Sequence, residues 1–575
     1  MLAPLKGRRW PEPSWRRRYR ALVRENGAFT QANFIDRLAV LYDTRPVLFL
    51  DKPLRYPFLH GDEVTYRDLG RVVNRAGNAL LRLGVRRGDR VALVTRNRVE
   101  IGFVEFGAQK IGAIPVPLNY MLMADEIRYL VEDSGCRVLV TDRTVFESNI
   151  GRRDRVPSVE QWIMATSRDV PEGFHSLGAL MAEAPEALDP VEIGPDDHVL
   201  IFYTGGTTGF PKGAMLTNGG LMFSARRYAR LFGLLPRLPR QLSLLVMPLA
   251  HTSGHQALLL HIAMGTPALF MGRFDGAAVL DAIETHGVTL FSGTPAMYRM
   301  LEAAGAVDRD LSSIRIWGGG GDAFPDDLIC GFRDFAARKV FGVARRPWFV
   351  RGYGLAETCG QVAVARGGPM GEGCIGRVVK GLAHRIVDGQ GGEVRPGEVG
   401  ELVLRGPTVM VGYWGAPELT REVMRDGWFH TGDLVRRGSG GRLYMVAREK
   451  EVIKCGGYSV FPAEVEREIE GHPAVRRSAV VGLPHDLKGE TPVAAIELEP
   501  GAAATAEDIL SWARAHIAAY RCPRQVIVVD AIPVTFALKP RRGQVREQLL
   551  HMGVKIEPRV GRSPSRGIIH ERERD

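Results

Sequence analysis

Closely spaced cysteines are missing from this chain of 575 residues, although it contains six cysteines. The six lie far apart, and no two of them form the C-x-x-C pair from which many zinc sites are built. The spacing therefore predicts neither a zinc site nor a disulfide framework.

Long apolar runs are missing as well. No stretch reaches the ~18 uninterrupted apolar residues of a membrane-spanning helix, and the N-terminus lacks the apolar core of a signal peptide. We therefore expect a soluble cytoplasmic protein. The arginine-rich residues 8–20 allow a peripheral contact with anionic lipid headgroups, but a solvated terminus is the simpler interpretation.

Lysine is scarce: only 11 of the 76 lysines and arginines are lysine. The net charge of +11 suits an enzyme that handles polyanions such as ATP. Arginine is spread along the whole chain instead of being concentrated in one segment, and this disfavours a nucleic-acid-binding protein. A lysine inside a motif is correspondingly informative.

Apolar and β-branched runs alternate with helical patterns over the first ~400 residues, which is typical of βα units with largely parallel sheets. Thr65 and Asp68 predict a capping box, and Gly84 predicts the end of that helix. The strands are predicted at residues 91–94, 199–203, 244–247, 288–291 and 314–317. These features predict an α/β class with a large N-terminal domain.

Glycine-punctuated short strands follow from Gly397, at residues 400–404 and 441–446, and predict a small β subdomain. A compact unit with a helix at Pro462–Glu470 comes next and predicts a small α+β C-terminal domain, which the family resemblance described below implies is mobile. The predicted boundaries are a basic N-terminal extension at 1–30, a large domain at 31–449, a small domain at 450–550 and a disordered tail at 551–575.

The strongest local signal is the Gly- and Thr-rich segment 203–213, Tyr-Thr-Gly-Gly-Thr-Thr-Gly-Phe-Pro-Lys-Gly, directly after an apolar strand. Glycines let backbone N–H groups converge on phosphate oxygens, while threonine hydroxyls and a lysine add donors and charge. The segment is not a Walker A loop, because no Gly-Lys-[Ser/Thr] follows at the required spacing. It predicts a phosphate-binding loop.

This loop resembles that of the adenylate-forming superfamily, which contains acyl-CoA synthetases, firefly luciferase and the adenylation domains of peptide synthetases. Gly205 stands where the family usually has serine, so one hydroxyl donor is absent. The resemblance implies that the ATP phosphates are bound by Thr204, Gly206, Thr207, Thr208, Gly209 and Lys212.

Two further segments resemble the family's nucleotide site. In residues 352–358 the resemblance implies that Gly352 and Tyr353 bind adenine, that Thr358 faces the α-phosphate and that Glu357 coordinates Mg²⁺. It also implies that Asp433 and Arg448 bind the ribose; Ala447 replaces a glycine that is usual in the family.

The C-terminal segments resemble those that the family uses in catalysis. Lys450 falls at the family's hinge, and Lys454, Gly456 and Gly457 match the loop that approaches the pantetheine arm of coenzyme A. Lys539 matches the lysine that bridges the carboxylate and the α-phosphate during adenylation, although Leu538 replaces the preceding glycine.

The acid-binding side is implied by three more matching segments. The resemblance implies a pocket lined by His251, Gly254, Thr294, Gly319, Gly320 and Gly354. Residues 249–258 contain no acidic side chain that could pair with an ammonium group, so an amino-acid substrate is not expected. The small and apolar Ala257, Leu258, Met264 and Gly265 favour an aliphatic acid.

These matches predict an ATP-dependent acid–CoA ligase, with Thr204, His251, Glu357 and Lys539 as catalytic residues and a medium- or long-chain fatty acid as substrate. ATP, Mg²⁺ and coenzyme A are the expected ligands. An aryl acid, an acyl-AMP ligase that loads a carrier protein, and a degenerate non-catalytic binder are the alternatives. The oligomeric state is left open, with a homodimer among the options.

Overall fold

The computed structural model describes residues 2–8, 10, 29–166, 168–204, 211–233, 241–340, 343–455, 458–485, 489–519, 521–535 and 539–554. The chain divides into two compact units, Met1–Val446 and Ala447–Asp575. Most of the predicted N-terminal extension and of the predicted tail lies outside the described residues. Within the described part of the chain, no helix is both long and apolar enough to cross a membrane.

The first unit alternates helices and strands. Its helices are α1 (Phe34–Tyr42), α2 (Tyr66–Arg82), α3 (Glu100–Lys110), α4 (Ala124–Ser134), α5 (Arg143–Val145), α6 (Leu177–Ala182), α7 (Asn218–Gly233), α8 (Thr252–Met264), α9 (Gly276–His286), α10 (Pro295–Ala303), α11 (Asp326–Phe335) and α12 (Pro417–Val423). Its strands up to the phosphate loop are β1 (Pro46–Tyr56), β2 (Leu59–Thr65), β3 (Arg90–Val94), β4 (Ile114–Pro117), β5 (Val138–Thr141), β6 (Gln161–Met164), β7 (His175–Ser176) and β8 (His198–Thr204).

The strands after the phosphate loop build most of the largest sheet. They are β9 (Lys212–Thr217), β10 (Ser243–Leu245), β11 (Ala268–Phe270), β12 (Leu290–Gly293), β13 (Ile316–Gly320), β14 (Arg338–Val340), β15 (Val343–Arg345), β16 (Trp348–Tyr353), β17 (Ala363–Gly367), β18 (Cys374–Val378), β19 (Ala383–Val387), β20 (Val399–Arg405), β21 (Gly412–Tyr413), β22 (Met424–Arg425), β23 (Trp428–Arg437) and β24 (Leu443–Arg448).

Parallel pairing dominates two parts of this unit. Strands β1, β11, β10, β12, β13 and β16 lie side by side in parallel, and β4, β3, β5, β6 and β7 form a separate parallel sheet. The predicted βα architecture is confirmed there. Beyond β16 the sheet continues through antiparallel pairs, and β21, β9 and β8 form a small antiparallel sheet of their own.

Helix α2 begins and ends where the sequence predicts. The Thr65 hydroxyl accepts a hydrogen bond from the Asp68 N–H at 3.2 Å, and the Asp68 carboxylate accepts one from the Thr65 N–H at 3.1 Å. The helix ends at Arg82, and Gly84 follows with a φ of +86°. The predicted capping box is therefore confirmed, together with the glycine that terminates this helix.

The second unit is an α+β fold with its own apolar core. Its elements are β25 (Ile453–Cys455), β26 (Tyr458–Val460), α13 (Pro462–Glu470), β27 (Val475–His485), β28 (Gly489–Leu498), α14 (Ala506–His516), β29 (Gln525–Val528) and α15 (Arg542–His551). Helix α13 has the predicted bounds, because Pro462 fits the first helical position, where no N–H is needed.

Candidate active site

Four parallel strands of the large sheet end at one edge, and predicted site residues lie just beyond each end. His251 follows β10, Thr294 follows β12, Gly320 ends β13 and Tyr353 ends β16. Gly320 is paired with Gly352 across β13 and β16. The predicted acid pocket and the predicted adenine segment therefore lie along the same carboxyl edge, where open α/β sheets bind their ligands.

Several glycines at this edge are required by backbone packing. A Cβ atom on Gly320 would lie 2.7 Å from the Gly352 carbonyl oxygen, and one on Gly354 would lie 2.7 Å from the Gly360 carbonyl oxygen. A Cβ atom on Gly254 would lie 2.0 Å from the Pro248 carbonyl oxygen. Backbone atoms cannot give way as a flexible side chain can, so these positions exclude larger residues whether or not they contact a substrate.

His251 and Thr294 both cap helices in this structure. His251 Nδ1 accepts a hydrogen bond from the Ser253 N–H at 3.2 Å, so its neutral ring carries the proton on Nε2. Its side chain is exposed, yet the surrounding protein desolvates the ring and lowers the pKa of His251 below its usual value. The Thr294 hydroxyl accepts from the Met297 N–H at 3.4 Å. Their contact with an acid stays a prediction.

The two ends of the predicted phosphate loop meet across an antiparallel strand pair. Thr204 at the end of β8 is paired with Lys212 at the start of β9. Beside this pair, the Tyr203 hydroxyl donates to Asp133 Oδ2 at 2.5 Å, and the Trp414 indole N–H donates to the Asp133 carbonyl oxygen at 3.1 Å. The loop residues Gly206, Thr207, Thr208 and Gly209 lie outside the described residues.

Tyr413 joins the predicted metal ligand to the predicted phosphate lysine. Its hydroxyl donates to Glu357 Oε1 at 2.9 Å, and Lys212 Nζ lies 5.3 Å from the centre of its ring. The ring is buried, and its backbone is paired with Ala214 in β9. Tyr413 therefore contacts the Glu357 carboxylate through its hydroxyl and the Lys212 ammonium group through its ring.

The adenine and ribose residues predicted from sequence are in direct contact. The Tyr353 hydroxyl donates to Asp433 Oδ2 at 2.5 Å, although the two residues lie 80 positions apart. The Asp433 side chain is buried, and Gly432 just before it has a φ of +68° inside strand β23. That conformation suits glycine and forms the irregularity that orients Asp433.

The Thr358 hydroxyl is used within its own turn. It lies 2.9 Å from the Leu355 carbonyl oxygen and 3.0 Å from the Gly360 carbonyl oxygen, and it accepts from the Leu355 N–H at 3.1 Å. The side chain is fully buried. Thr358 thus shapes the loop that carries Glu357, and its predicted contact with the α-phosphate stays a prediction.

The residues around Glu357 fit a Mg²⁺ ion that arrives with a nucleotide. Among the described residues, no group of three or more His, Cys, Asp or Glu side chains could hold a metal by itself. Mg²⁺ commonly takes one or two carboxylates together with phosphate oxygens and water. Glu357, half-buried and oriented by Tyr413, supplies one such carboxylate.

Lys539 lies at the base of a short hairpin in the second unit. The Thr535 N–H donates to the Lys539 carbonyl oxygen at 2.8 Å, and the Lys539 N–H donates to the Thr535 hydroxyl at 3.2 Å. The Arg541 N–H donates to the Pro533 carbonyl oxygen at 2.8 Å, which closes the hairpin below the lysine. Leu538, which replaces the expected glycine, lies outside the described residues.

Arg448, Lys450 and Lys454 are exposed. Arg448 ends β24, Lys450 lies in the 3-10 turn Glu449–Glu451, and the Lys454 N–H donates to Glu490 Oε2 at 3.2 Å. Ala447, which replaces a glycine, does not have a positive φ. Gly456 and Gly457 lie outside the described residues.

Comparison with known families gives a match over most of the chain. The family described as AMP-binding enzyme matches residues 43–414, and the AMP-binding enzyme C-terminal domain matches residues 464–539. The chain belongs to the AMP-binding enzyme family. It is an AMP-forming acid–thiol ligase, and the adenylate-forming resemblance and the mixed α/β fold predicted from sequence are confirmed.

Similar proteins include members that act on different acids. A feruloyl-CoA synthase from Amycolatopsis sp. is 36% identical over 496 residues, covering 85% of this chain and 94% of its own. A long-chain-fatty-acid–CoA ligase from Mycobacterium tuberculosis is 31% identical over 491 residues, covering 84% of this chain and 93% of its own. The crystal structure of an anthranilate CoA ligase with anthranoyl-AMP has a TM-score of 0.78 and 27% identity, covering 91% of this chain and 98% of its own.

Sequence reasoning missed Tyr413 in this AMP-binding enzyme. The residue lies 56 positions from Glu357, and the motif segments used for the prediction do not include it. The only signal is a Gly-Tyr-Trp run at 412–414, which alone is indistinguishable from an ordinary buried strand. Its role emerges only once β21 is seen to pair with β9.

Proposed function

We propose that this AMP-binding enzyme joins an aromatic carboxylic acid to coenzyme A through an acyl-adenylate. The observation that carries the proposal is the 36% identity to a feruloyl-CoA synthase over 85% of the chain. The protein crystallised with anthranoyl-AMP, with a TM-score of 0.78, adds a second relative that handles an aryl acid.

Helix α8, which follows the predicted pocket residue His251, contains buried polar groups. His255 lies one turn after His251, and its Nδ1 is 2.8 Å from Glu105 Oε1 of helix α3, with both side chains almost fully buried. Gln256 beside it is also buried. Because His255 and Glu105 are shielded by protein and contact each other, this pair does not by itself distinguish an aromatic from an aliphatic acid.

The apolar residues that favoured an aliphatic acid have other roles in the structure. Leu258 and Met264 belong to apolar cores of the first unit. Gly265 is the left-handed residue that ends α8, with a φ of +68°, and it lies against the Tyr42 ring. These positions therefore say little about the acid.

The first step forms the adenylate. A carboxylate oxygen of the acid attacks the α-phosphorus of ATP, and pyrophosphate leaves. We assign charge neutralisation to Lys539 and to Lys212, and we assign adenosine binding to Tyr353 and Asp433. Mg²⁺, bound through Glu357, would neutralise charge on the phosphates. Tyr413 keeps Glu357 and Lys212 in place while the two anions are brought together.

The second step transfers the acyl group. The sulfur of coenzyme A attacks the carbonyl carbon of the adenylate, AMP leaves with the bonding electrons, and the thiol proton passes to water. We place Lys454 beside the pantetheine arm of coenzyme A, and we propose that the chain rotates at Lys450 between the first step and the second.

The six cysteines are free, and five of them are buried, which suits a cytoplasmic enzyme.

A pyrophosphate-release screen tests the acid. Ferulate, 4-coumarate, benzoate, octanoate and palmitate are each supplied with ATP and Mg²⁺, with and without coenzyme A. The products are identified by mass spectrometry. We expect the hydroxycinnamates to give the highest kcat/KM and to yield the CoA thioester. A preference for palmitate would overturn the aromatic assignment.

A long-chain fatty acid is the second candidate, because the Mycobacterium tuberculosis relative is 31% identical over 84% of the chain. The same screen separates the two, since octanoate and palmitate are included. Pyrophosphate release that yields no CoA thioester with any acid would instead favour a carrier protein as the acceptor.

A further inference from the structure

Arg542 connects three segments of the second unit. It is the first residue of helix α15 and lies three residues after Lys539. Its Nε and Nη2 donate to Glu466 of helix α13 at 2.8 and 2.6 Å, and its Nη1 donates to Glu451 at 2.5 Å. Glu451 ends the 3-10 turn that contains Lys450.

The three side chains are well shielded from water. Arg542 is 18% exposed, Glu451 21% and Glu466 9%. Glu466 Oε1 also accepts from the Val480 N–H of strand β27 at 2.8 Å, which fixes the carboxylate from its other side. A planar guanidinium that meets one carboxylate with two parallel bonds is held in direction as well as in distance.

The described part of the hairpin that carries Lys539 is held by hydrogen bonds near its base. Among its described residues, an isolated bridge joins Val534 to Pro540, two hydrogen bonds join Thr535 to Lys539, and the Arg541 N–H bond to Pro533 closes the base. The Arg542 side chain comes immediately after that base. Its bonds therefore tie the chain that leaves the hairpin to α13 and to the 3-10 turn Glu449–Glu451.

We propose that Arg542 is a positioning residue that locks the Lys539 hairpin to the Glu449–Glu451 turn, so that the predicted hinge and the predicted adenylation lysine move as one body. Adenylation needs Lys539 placed to within a fraction of an ångström, and transfer to the thiol does not use it. The proposal rests on the proposed adenylation step and deepens it.

Arg546 provides the matched control. It lies one turn further along α15, and its Nε donates to the Gly482 carbonyl oxygen at 2.9 Å. The substitution R546Q therefore removes an arginine from the same helix without touching Glu451 or Glu466. We expect R542Q to lower the unfolding temperature more than R546Q, because it removes three bonds to carboxylates instead of one bond to a carbonyl oxygen, so both variants are assayed well below either unfolding temperature.

The half-reactions give the first test. Acid-dependent pyrophosphate release reports adenylation, and thioester formation from chemically prepared acyl-adenylate reports transfer. For R542Q we expect kcat of adenylation to fall about 10- to 100-fold, with transfer within about 3-fold of the unsubstituted enzyme. R546Q should leave both steps near the original rates. A parallel fall of both steps in R542Q would mean a general structural role and would overturn the proposal.

The Glu451 contact is tested separately, because it links the hairpin to the hinge turn. E451Q retains both bonds between Arg542 and Glu466, so the fold of the second unit should survive. We expect the same selective loss of adenylation, about 3- to 10-fold. A variant in which only the transfer step falls would show that Glu451 acts on the hinge and not on Lys539.

Amide hydrogen exchange tests the positioning without any acid. In R542Q the Thr535, Lys539 and Arg541 amides should exchange at least about 10-fold faster, whereas R546Q should leave them unchanged. Unchanged exchange in R542Q contradicts the proposal. The two proposals can fail separately. If the amides exchange faster in R542Q as expected, but the unsubstituted enzyme releases no pyrophosphate with any acid, the proposed function is wrong while Arg542 still positions the hairpin.

Discussion

At the scale of single residues, the Tyr413 hydroxyl is the only atom of that side chain that can donate a hydrogen bond, and it donates to Glu357. A bond to a charged group is worth about 1.5–3 kcal/mol. Loss of this hydrogen bond should therefore disturb the position of Glu357, the predicted Mg²⁺ ligand, more than the stability of the fold. The ring stays buried with or without the hydroxyl.

We expect Y413F to raise the Mg²⁺ concentration for half-maximal pyrophosphate release by about 10-fold, with little change in kcat at saturating Mg²⁺. Calorimetric titration of the nucleotide at low and high Mg²⁺ should show the same shift in binding. The control is Y444F, because the Tyr444 hydroxyl donates only to the Met370 carbonyl oxygen among the contacts described, at 3.1 Å. An unchanged Mg²⁺ requirement in Y413F would show that Glu357 is positioned without it.

Two lysines should separate the half-reactions. K539A is expected to lower adenylation about 100- to 1,000-fold and to leave transfer from prepared acyl-adenylate nearly intact, because the lysine neutralises charge only while the adenylate forms. K454A is expected to do the opposite, at about 10-fold. The measurement is both half-reactions on both variants. Equal losses in adenylation and in transfer would contradict the predicted roles of Lys539 and Lys454.

At the scale of elements, helix α8 contains a buried histidine near its end. Burial lowers the pKa of His261 to about 4, although a helix C-terminus would by itself favour the charged ring. Between pH 6.5 and 4 the unfolded chain therefore binds the proton more readily than the folded protein. The free energy of unfolding consequently falls as the pH falls through this range.

From pH 7 to pH 5 we expect His261 to account for a loss of about 2 kcal/mol in the free energy of unfolding. Urea unfolding of the wild type and of H261Q at both pH values measures it. H261Q should show a smaller difference between the two pH values, by the same amount. Equal differences in the two proteins would mean that His261 does not remain neutral.

Patterns that are local in sequence predicted elements well. Thr65 and Asp68 predicted the start of α2, and Pro462 predicted the start of α13, because a cap needs only neighbours within one turn. The pairing of β8 with β9 was not predicted. Their connection is too short for the crossover that parallel strands require, so the length of the phosphate loop by itself demands an antiparallel pair.

Contacts between distant segments explain what the sequence could not predict in the site. Motif order placed Tyr353 and Asp433 in one nucleotide site, but not the hydrogen bond between them. Glu105 and His255 lie on separate helices, and either residue alone resembles an ordinary core or surface side chain. Such pairs depend on how α3 packs on α8, which no single periodic pattern encodes.

At the scale of the whole molecule, the predicted hinge lies close to the division between the two compact units, Met1–Val446 and Ala447–Asp575. Lys450 occupies the middle of the 3-10 turn Glu449–Glu451. Proline fixes φ and disfavours a helical conformation of the preceding Glu449, so it removes the rotational freedom that a hinge at Lys450 needs.

We expect K450P to lower one half-reaction at least about 10-fold while the other stays within about 3-fold, because only one step suits the trapped conformation. K450A, which leaves the backbone free, should change neither step much. Both half-reactions and the overall rate are measured on each variant. If K450P behaves like K450A, rotation at this residue is not required.

The close approach of backbone at the carboxyl edge sets a limit for protein engineering. Mutant libraries that aim to change which acid is accepted should leave Gly320 and Gly354 fixed, because even one methyl group there would meet a carbonyl oxygen at 2.7 Å. Diversity belongs instead at positions that already carry a side chain, which can change without moving the main chain. Changes in acid specificity should therefore come from substituted side chains, because the main-chain segments at this edge are packed too closely to accept an added side chain.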